Sequence, residues 1–174
     1  MNKVKYFSKL TIGLAAYIVI SASFMLQIRN FLVKTLGGES VKLVFVFLFF
    51  LTALLYILYI LRMKIPVSSI IYSVFIFVLG YLLISRQPYF TEKIHVLEYG
   101  ILGYLALRDL SKKNKKIFKN ILLAIFFISV IGIMDETFQK FLPYRVGEIR
   151  DVATNVVSGL LGIFQYFIYR GSVA

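Results

Sequence analysis

Three short stretches of this chain carry residue types suited to acid–base chemistry. His95, Glu98 and Tyr99 stand at i, i+3 and i+4, so a helix puts them on one face. Asp135, Glu136 and Gln139 have similar spacings, and Asp151 and Asn155 stand at i, i+4. An imidazole oriented by a carboxylate is a general base near neutral pH, which assigns His95 that part and Glu98 or Asp135 the orienting one. The neighbouring carboxyls of Asp135 and Glu136 offer the alternative, an acid whose pKa is raised by burial and by its partner's charge. Arg145 and Arg150, with Lys93, are the groups to hold a phosphate or carboxylate. No nucleophile motif accompanies them: G-x-S-x-G is absent, and Ser158 lies among glycines, a packing context. A divalent metal at the His95/carboxylate cluster stays open, because one histidine with carboxylates suits many ions and specifies none. No other cofactor is expected.

The elements that must position these residues are membrane helices. The chain is 60% hydrophobic, lacks cysteine, and has a mean hydropathy of +0.85. Its apolar runs are of membrane-spanning length, and no polar tract could fold as a separate soluble domain. The expected fold is an all-α polytopic membrane protein, a small bundle of about six helices in a single domain covering 1–174. The spans fall at about 10–26, 43–61, 67–84, 91–108, 117–134 and 152–169. Lys3, Lys5 and Lys9 before Leu10–Leu26 resemble a signal peptide, with Ser21-Ala22-Ser23 as a small-residue cleavage site. The further spans behind this helix favour its retention. A polar connection is expected from Gln27 to Lys42, turning at Gly37-Gly38. The fourth segment is the odd one, since His95 and Glu98 interrupt it. It is read as a span rather than a re-entrant hairpin, which would gather its flanking cations on one side.

The net charge of +12 does not point to nucleic acid, because the cations lie between apolar segments and orient the protein in its bilayer. With the N-terminus inside, the cytoplasmic segments hold twelve basic residues and one acid, Asp109. The external segments hold eight basic and seven acidic residues. Both termini are therefore expected in the cytoplasm. The multi-pass chain is placed in the bacterial cytoplasmic membrane, and all three polar stretches then fall at the outer face. Asp135 and Glu136 would sit at the C-terminal end of the fifth span, where the helix dipole disfavours anions, so Lys140, Arg145, Arg150 and a protonated His95 are their expected partners.

The segments Lys93-Ile-His95-Val-Leu-Glu98-Tyr99-Gly-Ile-Leu-Gly103, Asp135-Glu136-Thr-Phe-Gln139 and Pro143-Tyr-Arg145-Val-Gly147-Glu148-Ile-Arg150-Asp151 together resemble the VanZ-like family over roughly residues 40–170. Asn155, Gly159 and Gly162 extend the likeness. Phe138 stands where many relatives have histidine, and Tyr144 where a glycine is usual. The resemblance implies a bacterial membrane protein whose site is built from His95, Glu98, Asp135, Glu136, Gln139, Arg145, Asp151 and Asn155. The founding member is linked to low-level teicoplanin resistance. The implied function is modulation of glycopeptide susceptibility, by binding or modifying a cell-envelope component such as a lipid-linked peptidoglycan precursor or a lipid headgroup. Two other readings of the residues stand beside it. One is a structural or partner-binding protein whose polar groups close the outer end of the bundle, with Asp151 as N-cap of the sixth span. The other is a membrane-embedded hydrolase or transferase acting on a lipid-linked headgroup. Oligomeric state is not readable from this pattern.

Overall fold

The structure, a computed structural model, describes residues 6–63, 65–88, 90–113, 115–143 and 148–173, with only the backbone of 172 and 173. Among the described residues the chain is all-helical: α1 (Lys9–Ser21), α2 (Met25–Leu36), α3 (Gly38–Arg62), α4 (Val67–Ser85), α5 (Phe90–Lys113), α6 (Ile117–Lys140) and α7 (Ile149–Val173). Four of these, α3, α4, α6 and α7, are long and apolar enough to cross a membrane, and α1 with α2, bent by 70°, passes the same test only as a pair, as a broken span or a re-entrant loop.

The polar connection expected between the first two spans is instead mostly helix α2. Its apolar residues Ile28, Phe31 and Leu32 recur at helical spacing between Gln27, Arg29 and Lys34. Averaged polarity hid that period. The break before α2 has a local cause. The hydroxyls of Ser21 and Ser23 donate to Ile18 O and Ile20 O, and the Ser23 and Phe24 amides bond three residues back. Such side-chain bonds compete with the regular ladder. The Gly37-Gly38 turn is present, with Gly37 at φ +83, where a side chain would strain the backbone.

α5 does not meet the length-and-hydropathy test, yet it is the centre of the bundle. At about 1.5 Å per residue it is roughly 36 Å long and continuous, so it is not a re-entrant hairpin. One apolar cluster joins it to α1, α6 and α7 through Ile18, Leu102, Ala106, Ile128 and Ile163. A second joins it to α3 and α4 through Phe45, Phe49, Ile84 and Val96. A helix enclosed by protein can hold the charges that disqualify it as a lipid-facing one. The outer helices show the reverse, with Phe47 and Leu54 of α3, Phe75 of α4 and Phe126 of α6 exposed.

Glycines set how closely α5 meets α7. A β-carbon on Gly103 would overlap the Gly159 carbonyl oxygen, and one on Gly162 would overlap that of Gly100. The backbones therefore touch, which small residues permit in lipid.

The lysine-rich end of α5 is tied down by Asp109, just past the apolar stretch. Its Oδ2 accepts from the Ser8 amide at 2.8 Å and from the Thr11 hydroxyl, and its Oδ1 accepts from Arg108 Nη2 at 2.9 Å. These bonds fix the start of α1 against α5. Burial alone would raise the Asp109 carboxyl, but the bonds from Thr11, Ser8 and Arg108 outweigh it and hold it down at about 2, against an ordinary 3.8. A carboxyl held low in the folded state contributes stability above its unfolded value, and loses it as pH falls through the folded one. The melting temperature should therefore drop between pH about 4 and about 2. Asp109→Asn should cost about 2 kcal/mol at neutral pH and flatten that acid limb. A melting series over pH checks both.

Candidate functional site

The polar cluster is assembled at the opposite end of the bundle, from α5, α6 and the start of α7. His95 and Glu98 share one face of α5, and His95 Nδ1 lies 2.8 Å from Glu98 Oε2. The other ring nitrogen, Nε2, faces Asp135 Oδ2 on α6 at 3.9 Å, an electrostatic contact rather than a hydrogen bond. The Tyr99 hydroxyl donates to the same Asp135 oxygen at 3.4 Å. With its proton on Nδ1, directed to Glu98, His95 presents a basic nitrogen to Asp135.

One residue along α6, Glu136 is held differently. Its Oε1 accepts from Gln139 Nε2 at 3.3 Å, and its Oε2 from the Glu148 amide at 3.1 Å. The second bond ties the entry of α7 to α6. Asn155 follows on α7, packed beside Gly132 where the Tyr99 hydroxyl also points. His95, Glu98, Asp135, Glu136, Gln139 and Asn155 are all buried, and Asp135 has no exposed surface.

Six of the nine residues expected from sequence thus come together. Asp151 lies at the edge: it neighbours Glu136 electrostatically, and Arg150 Nε stands 3.7 Å from its Oδ1. It is not an N-cap, because α7 starts at Ile149 and places Asp151 inside the first turn, where an anion still faces the favourable end of the dipole. Arg150 does not reach the buried carboxyls, and its side chain is 63% exposed. Arg145 lies outside the described residues.

The helix dipole does not bear on Asp135 and Glu136 as expected. α6 runs on to Lys140, so both acids sit before its last turn, beyond the reach of the terminal charge. Lys140 is exposed and forms no ion pair with them. Among the described residues, the one basic side chain facing these acids is His95, which is charged only when protonated. Three carboxyl groups around one imidazole make an acceptor-rich site, suited to a hydroxyl or amine more than to a phosphate. No group of three histidine, aspartate or glutamate side chains is placed to hold a metal ion among the described residues.

Two contributors were not assigned from sequence. Tyr99 was legible in principle, one turn beyond His95 on the same face. The Glu148 amide was not, since a backbone donor twelve residues from its acceptor leaves no mark in residue type.

The model of the VanZ/LLP1 family matches residues 16–170. The chain belongs to the VanZ/LLP1 family. That match takes in the second half of α1 and all of α2, which the resemblance from residue 40 onward had left out. Comparison with curated proteins and with solved structures returned no match. In this VanZ/LLP1 protein the buried cluster is formed by α5, α6 and the start of α7.

Proposed function

We propose that this VanZ/LLP1 protein modulates susceptibility to glycopeptides such as teicoplanin, by binding or modifying a cell-envelope component at the outer face of the cytoplasmic membrane. The reading rests on one observation above the others, an imidazole set between two carboxyl groups on neighbouring helices. Glu98 orients His95, and His95 accepts a proton from a hydroxyl or amine of the bound component. Asp135 and Glu98 then face the resulting imidazolium and stabilise its charge. The component fits the description of a lipid-linked precursor or headgroup that presents such a donor. The cation count supports the outward placing, since the lysine-rich end of α5 belongs in the cytoplasm by the positive-inside rule.

Burial of every member favours a second reading, a polar network that only closes the bundle. Expression in a glycopeptide-susceptible bacterium without a homologue separates the two. Wild-type chain should raise the inhibitory concentration of teicoplanin several-fold, and His95→Gln and Glu98→Gln should return it to the vector level at unchanged membrane abundance. If those variants instead lose folded protein, the structural reading stands. Orientation has its own measurement: Ile149→Cys should react with an impermeant maleimide on intact cells, and Lys115→Cys should not. The reverse pattern would remove the outward-facing site.

A further inference from the structure

The bundle holds a cavity of about 460 Å³ that the acid–base cluster does not use. It lies between the α3–α4 hairpin and the α5–α7 pair, on the back of the α5 turn that carries His95 and Glu98. Phe49, Phe77, Leu97, Ile101 and Leu161 form much of its wall. The polar side chains there are mostly engaged: the Thr52 and Ser158 hydroxyls donate to their own helices, and Gln165 Nε2 donates to Ser73 at 2.8 Å. Tyr56 and Gln165 sit together toward the end away from His95. Thr52, Tyr59 and Ile101 line the cavity and are themselves exposed, so it opens sideways through the bundle surface. Two of those residues, Thr52 and Tyr59, stand on α3, which is long and apolar enough to cross a membrane.

We propose that this cavity binds a single fatty acyl chain of a membrane phospholipid. Its length decides the occupant. The wall runs from Val96 to Tyr104 on α5 and from Phe49 to Tyr59 on α3, which is about 12 to 15 Å at the helical rise per residue. The hydrocarbon of one leaflet is about 15 Å deep, half the thickness of the bilayer core. One acyl chain lying parallel to the helices fills that length, whereas a polyprenyl chain long enough to traverse the bilayer does not fit. The mostly apolar wall suits methylenes. Relative to lipid the gain comes from fixed packing against the aromatic rings. At the other end, Val96 and Leu97 adjoin His95 and Glu98 along α5. Binding of the chain does not rest on the chemistry proposed for that cluster.

Gly80 provides the probe. A β-carbon there meets Phe49 Cζ at 3.9 Å and Leu161 Cδ1 at 4.0 Å, so alanine is accommodated and a leucine side chain must extend into the cavity. The test uses the full chain in nanodiscs of phosphatidylethanolamine and phosphatidylglycerol, doped with a phosphatidylglycerol bearing a diazirine on its acyl chain. After irradiation, peptide mass spectrometry should place the strongest labelling on the segments holding Leu97–Tyr104 and Leu161–Gln165. Gly80→Leu should lower that labelling about tenfold and leave labelling of exposed Phe126 unchanged, a free-energy difference of about 1.4 kcal/mol. His95→Gln should not alter it, so failure of the acid–base reading leaves the result intact. The wild-type map needs no variant, and it overturns the proposal if the cavity wall is labelled no more than Phe126. Protection of the wall by a polyprenyl phosphate in preference to phospholipid would overturn the acyl assignment.

Discussion

Asp135→Asn is expected to abolish the effect on glycopeptide susceptibility while folded protein in the membrane stays at the wild-type level. Asparagine keeps the shape of the side chain and an oxygen to accept from Tyr99, which donates to Asp135 Oδ2 at 3.4 Å. It removes the charge that faces His95 Nε2 across 3.9 Å. The contact is electrostatic and too long for a hydrogen bond, so its loss should cost roughly tenfold in binding or turnover, about 1.4 kcal/mol. Asp135→Leu sets the contrast. It leaves the wholly buried Tyr99 with a hydroxyl and no acceptor on α6, a penalty of about 1–3 kcal/mol in stability. The chain has no tryptophan, so thermal stability is best followed by size-exclusion after heating. A functional site predicts that the asparagine variant is stable and inactive, and that the leucine variant is unstable. Equal instability of the two would assign Asp135 a packing role only.

Gly162→Ala is expected to have the largest effect on stability of any single methyl added to the chain. The new carbon would overlap the Gly100 carbonyl, which is backbone and cannot rotate away. Overpacking costs about 1–3 kcal/mol when side chains can adjust, and here two helices must separate instead. Gly103→Ala meets the Gly159 carbonyl in the same way. Two glycines nearby supply controls. A β-carbon on Gly100 lies 3.7 Å from Ser158 O, and one on Gly132 lies 3.8 Å from the nearest atoms, both ordinary contacts. Gly100→Ala and Gly132→Ala should therefore fold and melt near the wild type. Because the α5–α7 crossing also brings Asn155 to the cluster, a partly folded Gly162→Ala protein should lose the susceptibility effect too.

These two predictions draw on different depths of information. Asp135 was marked in sequence because a charged group beside an apolar run is costly to keep, whatever the fold around it. Its helical register with Gln139 followed from spacing alone. The severity at Gly162 was not legible. Glycine in a membrane helix implies close approach to something, but the atom it meets belongs to another helix.

The expected cations show the same division. Arg150 is two residues from the start of the apolar stretch of α7 and looked like a partner for buried acids. Its side chain points outward, because starting α7 at Ile149 turns that position away from α5 and α6. Charge composition names the available partners, and only helix phase selects among them.

For this VanZ/LLP1 protein, sequence by itself determined the class of fold and most of the polar cluster. Apolar runs and i, i+3, i+4 spacing are local properties, and hydrocarbon solvent leaves a chain little choice but helix. Tertiary structure decided which helix is central, which acids meet His95, and where a cavity remains. α5 looks the least suited to a membrane by composition, yet packing against α1, α3, α4, α6 and α7 encloses it. That enclosure is what lets His95 and Glu98 sit buried beside Asp135. It arises from glycine contacts and side-chain fit between segments distant in the chain, which no local pattern encodes.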